Sequence, residues 1–91
     1  MKAIWKYSIP IEGEFTINMP EGAVPLCVQV QDNVPCIWVL VRPGPQVDCR
    51  RFRLHGTGRP LDDVGLGRYV GTFQMGSGAL VWHLFDHGSA P

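Results

Sequence analysis

Val34-Pro-Cys-Ile-Trp-Val-Leu-Val41 holds seven apolar residues and one proline, with no polar side chain among them. A strand with one wet face alternates polar and apolar residues. This run does not, so it reads as the central strand of a sheet, covered on both faces. Its flanks agree. Asp32-Asn33 suits a two-residue hairpin turn, because both types tolerate left-handed backbone. Before it, Leu26, Val28 and Val30 point to the core while Gln29 and Gln31 face water. After it, Arg42-Pro-Gly-Pro45 stops the strand.

The rest of the chain follows the same grammar. Lys2 to Ile9 alternates, with Ala3, Trp5, Tyr7 and Ile9 on one side, and Pro10 ends it. Phe15, Ile17 and Met19 alternate with Glu14, Thr16 and Asn18, and Pro20-Glu-Gly-Ala23 makes a turn. Cys49 to His55 forms a strand closed by Gly56-Thr-Gly-Arg-Pro60. Leu61 to Gly67 is irregular, with Asp62-Asp63 in a turn. Arg68 to Met75 alternates, Gly76-Ser-Gly78 is a hairpin loop, and Ala79 to Phe85 is a second apolar strand. Seven strands and no sustained helical period predict an all-β fold, a single compact antiparallel β-sandwich or partly open barrel. Ninety-one residues make one domain, 1–91, with 86–91 a frayed tail.

Eight basic residues balance eight acidic ones. The whole molecule therefore has no electrostatic pull toward a nucleic-acid polymer or an anionic membrane, and no stretch is apolar enough to span a bilayer. Cys27, Cys36 and Cys49 are odd in number and lack the CxxC spacing of a zinc site, so they read as reduced thiols of a cytoplasmic protein. Nothing implies a cofactor.

Charge segregation is the informative feature. Arg50, Arg51, Arg53, His55 and Arg59 fall within residues 49–60 with no acid between them, whereas residues 1–41 set Lys2 and Lys6 against Glu12, Glu14, Glu21 and Asp32. With Phe52 and Leu54 in the core, Arg51, Arg53 and His55 line up outward, roughly 6.5–7 Å apart. Such a row grips phosphate or carboxylate oxygens. The Gly56-Thr57-Gly58 turn adds backbone amides for an anion-holding concavity. The candidate site is Arg51, Arg53, His55, Thr57 and Arg59, with Arg50 a lesser member. The competing reading is a solvated face whose arginines pair with Glu12, Glu14 or cross-strand carboxylates.

Other features weigh less. Trp5, Tyr7, Trp38, Tyr69, Phe73, Trp82 and Phe85 lie in strands and read chiefly as core, Trp38 and Trp82 above all. On an exposed face they would instead stack on bases beside the arginines. His83-x-x-Asp86-His87 would gather a metal on a helix but not on a strand running into a tail, so no metal site is expected. Cys49 beside Arg50-Arg51 is the single hint of a reactive thiol, and an enzyme is not expected.

Met1-Lys-Ala-Ile-Trp-Lys-Tyr7, Met19-Pro-Glu-Gly-Ala23, Val28-Gln-Val-Gln31, Pro35-Cys-Ile-Trp38, Arg51-Phe-Arg53, Gly56-Thr-Gly58, Val70-Gly-Thr-Phe73 and Leu80-Val-Trp-His83 together resemble a family of small uncharacterised proteins. That family occurs in bacteriophage genomes and in bacterial genomes carrying mobile elements. The resemblance covers nearly the whole chain and supplies no activity, cofactor or catalytic residue. Relatives often carry His after Gly-Thr-Gly, where this chain has Arg59. The resemblance implies an accessory protein that binds host machinery or sequesters a host signalling molecule. The expectation is a non-enzymatic, self-associating protein that engages an acidic protein surface or a phosphate-bearing nucleotide. The alternative is an assembly module built from sheet faces or edges.

Overall fold

The computed structural model describes residues 1–61 and 65–91. The expected Asp62-Asp63 turn lies outside them. Seven antiparallel strands form two sheets, with no helix among the described residues: β1 (Ala3–Ser8), β2 (Glu14–Pro20), β3 (Val24–Gln31), β4 (Val34–Val41), β5 (Val47–Gly56), β6 (Arg68–Met75) and β7 (Leu80–Ser89). Sheet A has the order β1-β4-β3 and sheet B the order β2-β5-β7-β6. The two pack face to face and do not close into a barrel.

β4 is the middle strand of sheet A, as its composition demands. Ile37, Val39 and Val41 point to sheet B and are essentially inaccessible. The other face departs from expectation. Cys36, Trp38 and Leu40 alternate outward beside Ser8, Lys6 and Ile4 of β1. The molecule is only 16 Å along its short axis, room for two sheets about 10 Å apart and no third layer. Trp38 is thus half-buried by its neighbours in the sheet and is not part of the core.

The core lies between the sheets. Phe15 stacks on Phe52, its register partner, with ring centroids 5.5 Å apart. Leu54, Phe73 and Leu84 complete sheet B's inner face, and Trp82 packs half-buried against it. The hairpin at Asp32-Asn33 forms with φ of 52° and 64°, the left-handed pair expected there. The sheets approach closely at Gly71, where a Cβ would sit 2.8 Å from Val28 Cγ1.

Two expectations fail. β3 slips register between Pro25 and Cys27, so Leu26 is exposed and Pro25 is buried. β7 runs on to Ser89, with Ala90 donating its amide to the Cys49 carbonyl at 2.7 Å. Residues 86–89 are strand, not frayed tail.

What holds that last stretch is Arg50. Sharing strand parity with Phe52 and Leu54, Arg50 faces inward and is 8% exposed. Its Nη1 donates to Asp86 Oδ2 at 2.9 Å, its Nε to Asp48 Oδ2 at 3.0 Å, and its Nη2 to the Ala23 carbonyl at 3.0 Å. Asp86 Oδ1 in turn accepts from the Gly88 amide at 2.8 Å. A hydrogen bond from Ser89, then Arg50, hold the Asp48 carboxyl below its ordinary range against the opposing effect of desolvation. That depressed value makes Asp48 stabilising above the ordinary carboxylate range, and the contribution is lost as pH falls through the lowered value.

Arg50 is therefore a clamp, not a member of the outer row. Removing it strands two enclosed carboxylates. Arg50→Ala should lower stability in urea by about 3–5 kcal/mol. Arg51→Ala, one residue on and facing solvent, should stay within about 0.5 kcal/mol of the parent chain. Equal losses would contradict the assignment.

Candidate functional site

Because Arg50, Phe52 and Leu54 turn in, Arg51, Arg53 and His55 turn out. The registers of sheet B then build its outer face in rows. Thr16 lies beside Arg51, and Arg51 beside Gly88. The next row runs Glu14, Arg53, Phe85, Tyr69 across all four strands. The one after it runs His55, His83, Thr72. All three histidines of the chain gather on this face.

The arginines are engaged but not closed off. Arg53 Nη2 meets Glu14 Oε1 at 2.7 Å, so part of the solvated-face reading holds, yet the Glu14 side chain is 69% exposed. Arg51 Nη2 donates to the His87 carbonyl at 3.2 Å and remains exposed. Between them opens a recess of about 420 Å³, lined by Glu14, Thr16, Arg51, Arg53 and His87 together with Phe15 and Phe52. A second hollow of about 230 Å³ lies at the other end of the row, among His55, Thr57, Arg59, His83 and Phe85.

The histidines differ in surroundings. His83 is held from both sides, with Nε2 2.7 Å from the Thr57 hydroxyl and Nδ1 3.0 Å from the Thr72 hydroxyl, which also shares a hydrogen bond with the Tyr69 hydroxyl. A neutral imidazole donates through one nitrogen and accepts through the other, and the rotatable hydroxyls suit either arrangement. His55 stands edge-on to Phe85, centroids 5.7 Å apart. Nε2 of His55 and of His87 are enclosed and make no hydrogen bond. Desolvation and then the charges of Arg53, Arg51 and His55 push the His87 imidazole below its ordinary value, against a smaller pull from Asp86.

The five expected site residues thus share one face and its rim: Arg51, Arg53 and His55 on β5, Thr57 and Arg59 in the turn that follows. Three expectations change. Arg50 belongs to the interior. The Gly56-Thr57-Gly58 turn is no anion nest, since the Thr57 amide donates to the Val81 carbonyl and the Arg59 amide to that of Gly56, each at 3.2 Å. Cys49 lies on the face opposite Arg50, whose guanidinium is taken by Asp48 and Asp86.

His83-x-x-Asp86-His87 does not converge either, because Asp86 turns inward. No group of three metal-binding side chains forms among the described residues. Phe85 and Tyr69, read chiefly as core, lie instead on the exposed face beside the arginines, and His87, weighed only for a metal, joins them. Their signal is the alternation His83, Phe85, His87 against Trp82, Leu84, Asp86.

The class so defined is an open two-sheet antiparallel β protein carrying a cationic, ring-bearing outer face. Residues 1–90 match the model of a family described as a domain of unknown function, DUF7352, and the chain belongs to that family. No curated protein and no solved structure matches it. No helix among the described residues is long and apolar enough to cross a membrane.

The environment of His87 makes a direct prediction. Its ring should titrate below the ordinary imidazole value of about 6.5 in an NMR pH series. Arg51→Ala and Arg53→Ala should each move that midpoint upward, because each removes a positive charge that disfavours the imidazolium. A midpoint indifferent to both would place the arginines elsewhere.

Proposed function

We propose that the protein is a non-enzymatic binding protein that engages an anionic partner through the outer face of sheet B. The observation that carries this reading is the row Arg51, Arg53, His55, Arg59, opposed on that face by the exposed carboxylate of Glu14. Guanidinium groups spaced along a strand suit oxyanions, and a face with open hollows at both ends leaves room for one. The sequence resemblance supplies a setting: an accessory protein of phage or mobile-element origin, in the cytoplasm of a bacterial host, acting on host machinery or defence. Retention on phosphocellulose and on immobilised poly-glutamate tests the binding itself. The parent chain should bind at least one matrix and elute at lower salt once Arg51 and Arg53 are both alanine. Unchanged elution removes the proposal.

A second reading draws on the other outer face. Ile4 and Val34 are 60% and 42% exposed there, beside half-buried Trp38 and Leu40. An apolar sheet face of this kind supports self-association, with the arginines serving solubility. Sedimentation velocity should then show a dimer that Ile4→Lys converts to monomer. A parent chain that stays monomeric at high concentration ends this reading.

A further inference from the structure

Two features of the sheet B face go beyond charge. The first is the recess beside Arg51 and Arg53, a concave space of about 420 Å³ with the Thr16 and His87 side chains in its wall. The second is a pair of rings continuing the Arg53 row. Phe85 is the register partner of Arg53, and Tyr69 is the partner of Phe85. Their centroids are 5.5 Å apart and Tyr69 is 56% exposed. With roughly 5 Å between strands, the backbone positions of Arg53 and Tyr69 stand about 10 Å apart with Phe85 between them.

We infer, building on the anion-binding reading above, that this face takes a phosphate-bearing aromatic molecule of the nucleotide class, its phosphate at Arg51 and Arg53 and its ring against Phe85 and Tyr69. An acidic polypeptide would use the row of cations along β5 but gains nothing from rings set to one side of it. A nucleotide needs one anion site and an adjacent π-face, and base–aromatic stacking is indifferent to which base is present. Glu14 fits the same account. It is an exposed carboxylate resting on Arg53, and an exposed pair of this kind is weak. A phosphate group with two charges displaces it, so Glu14 works as a stand-in anion that a ligand must replace.

Titrating the full chain with inorganic phosphate, adenosine 5′-monophosphate, adenosine and a poly-glutamate peptide, followed by NMR, tests this. The monophosphate should bind about fivefold or more tightly than phosphate, the low end of a stacking contribution. Adenosine alone should bind far more weakly. Tyr69→Ala should erase the advantage over phosphate while leaving phosphate binding as it was. Glu14→Gln should tighten both by about two- to fivefold. Arg51→Lys with Arg53→Lys, which keeps charge and fold, should weaken both.

A monophosphate that binds no better than phosphate overturns the inference. Poly-glutamate binding more tightly than either, with the same dependence on Arg51, also overturns it but leaves the anion-binding reading standing. Silence from every probe removes both.

Discussion

A guanidinium group keeps its charge at any pH the chain meets, so burying one requires charges and acceptors to be brought to it. Arg50 draws these from three parts of the chain: Asp48 on its own strand, Asp86 near the end of β7, and the Ala23 carbonyl at the entrance to β3. The network therefore ties sheet B to sheet A and fastens the last strand to both. Replacing such a cluster by apolar packing need not destabilise a protein, but breaking it does, because the surviving charges have no water to return to. The same constraint fixes the exterior. Side chains alternate along a strand, so an Arg50 locked inward sends Arg51 and Arg53 outward. The clamp and the cationic row are opposite faces of one strand.

Much of this was legible in the sequence. The unbroken apolar run gave β4 its place, Asp32-Asn33 its hairpin, and the parity of Phe52 and Leu54 the direction of Arg51, Arg53 and His55. That parity also assigns Arg50 to the interior. Charge argued against it, because only Asp48 lies nearby in sequence and the second carboxylate, Asp86, is 36 residues away. The end of β7 was hidden by the same distance. Asp86-His-Gly-Ser89 is polar and glycine-bearing, which is what a loose terminus looks like. It is a strand because Arg50 needs Asp86 and because the Cys49 carbonyl accepts from Ala90.

Rings were the harder problem. In β4 and β7 both faces are largely apolar, so hydropathy alone cannot say which ring goes in. Trp82 sits against the core while Phe85, three residues on, faces out, and Trp38 turns away from the interior that Ile37 and Val39 fill. Local pattern marks such residues as buried or half-buried. Only the neighbouring strand decides the side.

Two register slips decide where the site forms. In β7, Asp86 pairs with inward Phe52 and Gly88 with outward Arg51, although two residues of the same parity should share a face. The extra residue, His87, already outward by the strand's own alternation, is set between those two pairs, and Gly88, with φ of 84°, takes the place opposite Arg51. In β6, Tyr69 pairs with outward Phe85 and Gly71 with inward Leu84, again across one extra residue, Val70. Tyr69 then stays on the ring row while Gly71 passes close to Val28, where a side chain would collide. A one-residue slip exchanges the two faces of a strand. Without the first bulge His87 itself would pair with Arg51 and Ser89 would lose its place opposite Arg50, and without the second Tyr69 would turn into the core or Gly71 would leave its contact with sheet A. A period of two cannot announce its own interruptions: alternation alone turns Phe85 and His87 outward, but it cannot show that Tyr69 and Gly71, of like parity, face opposite ways.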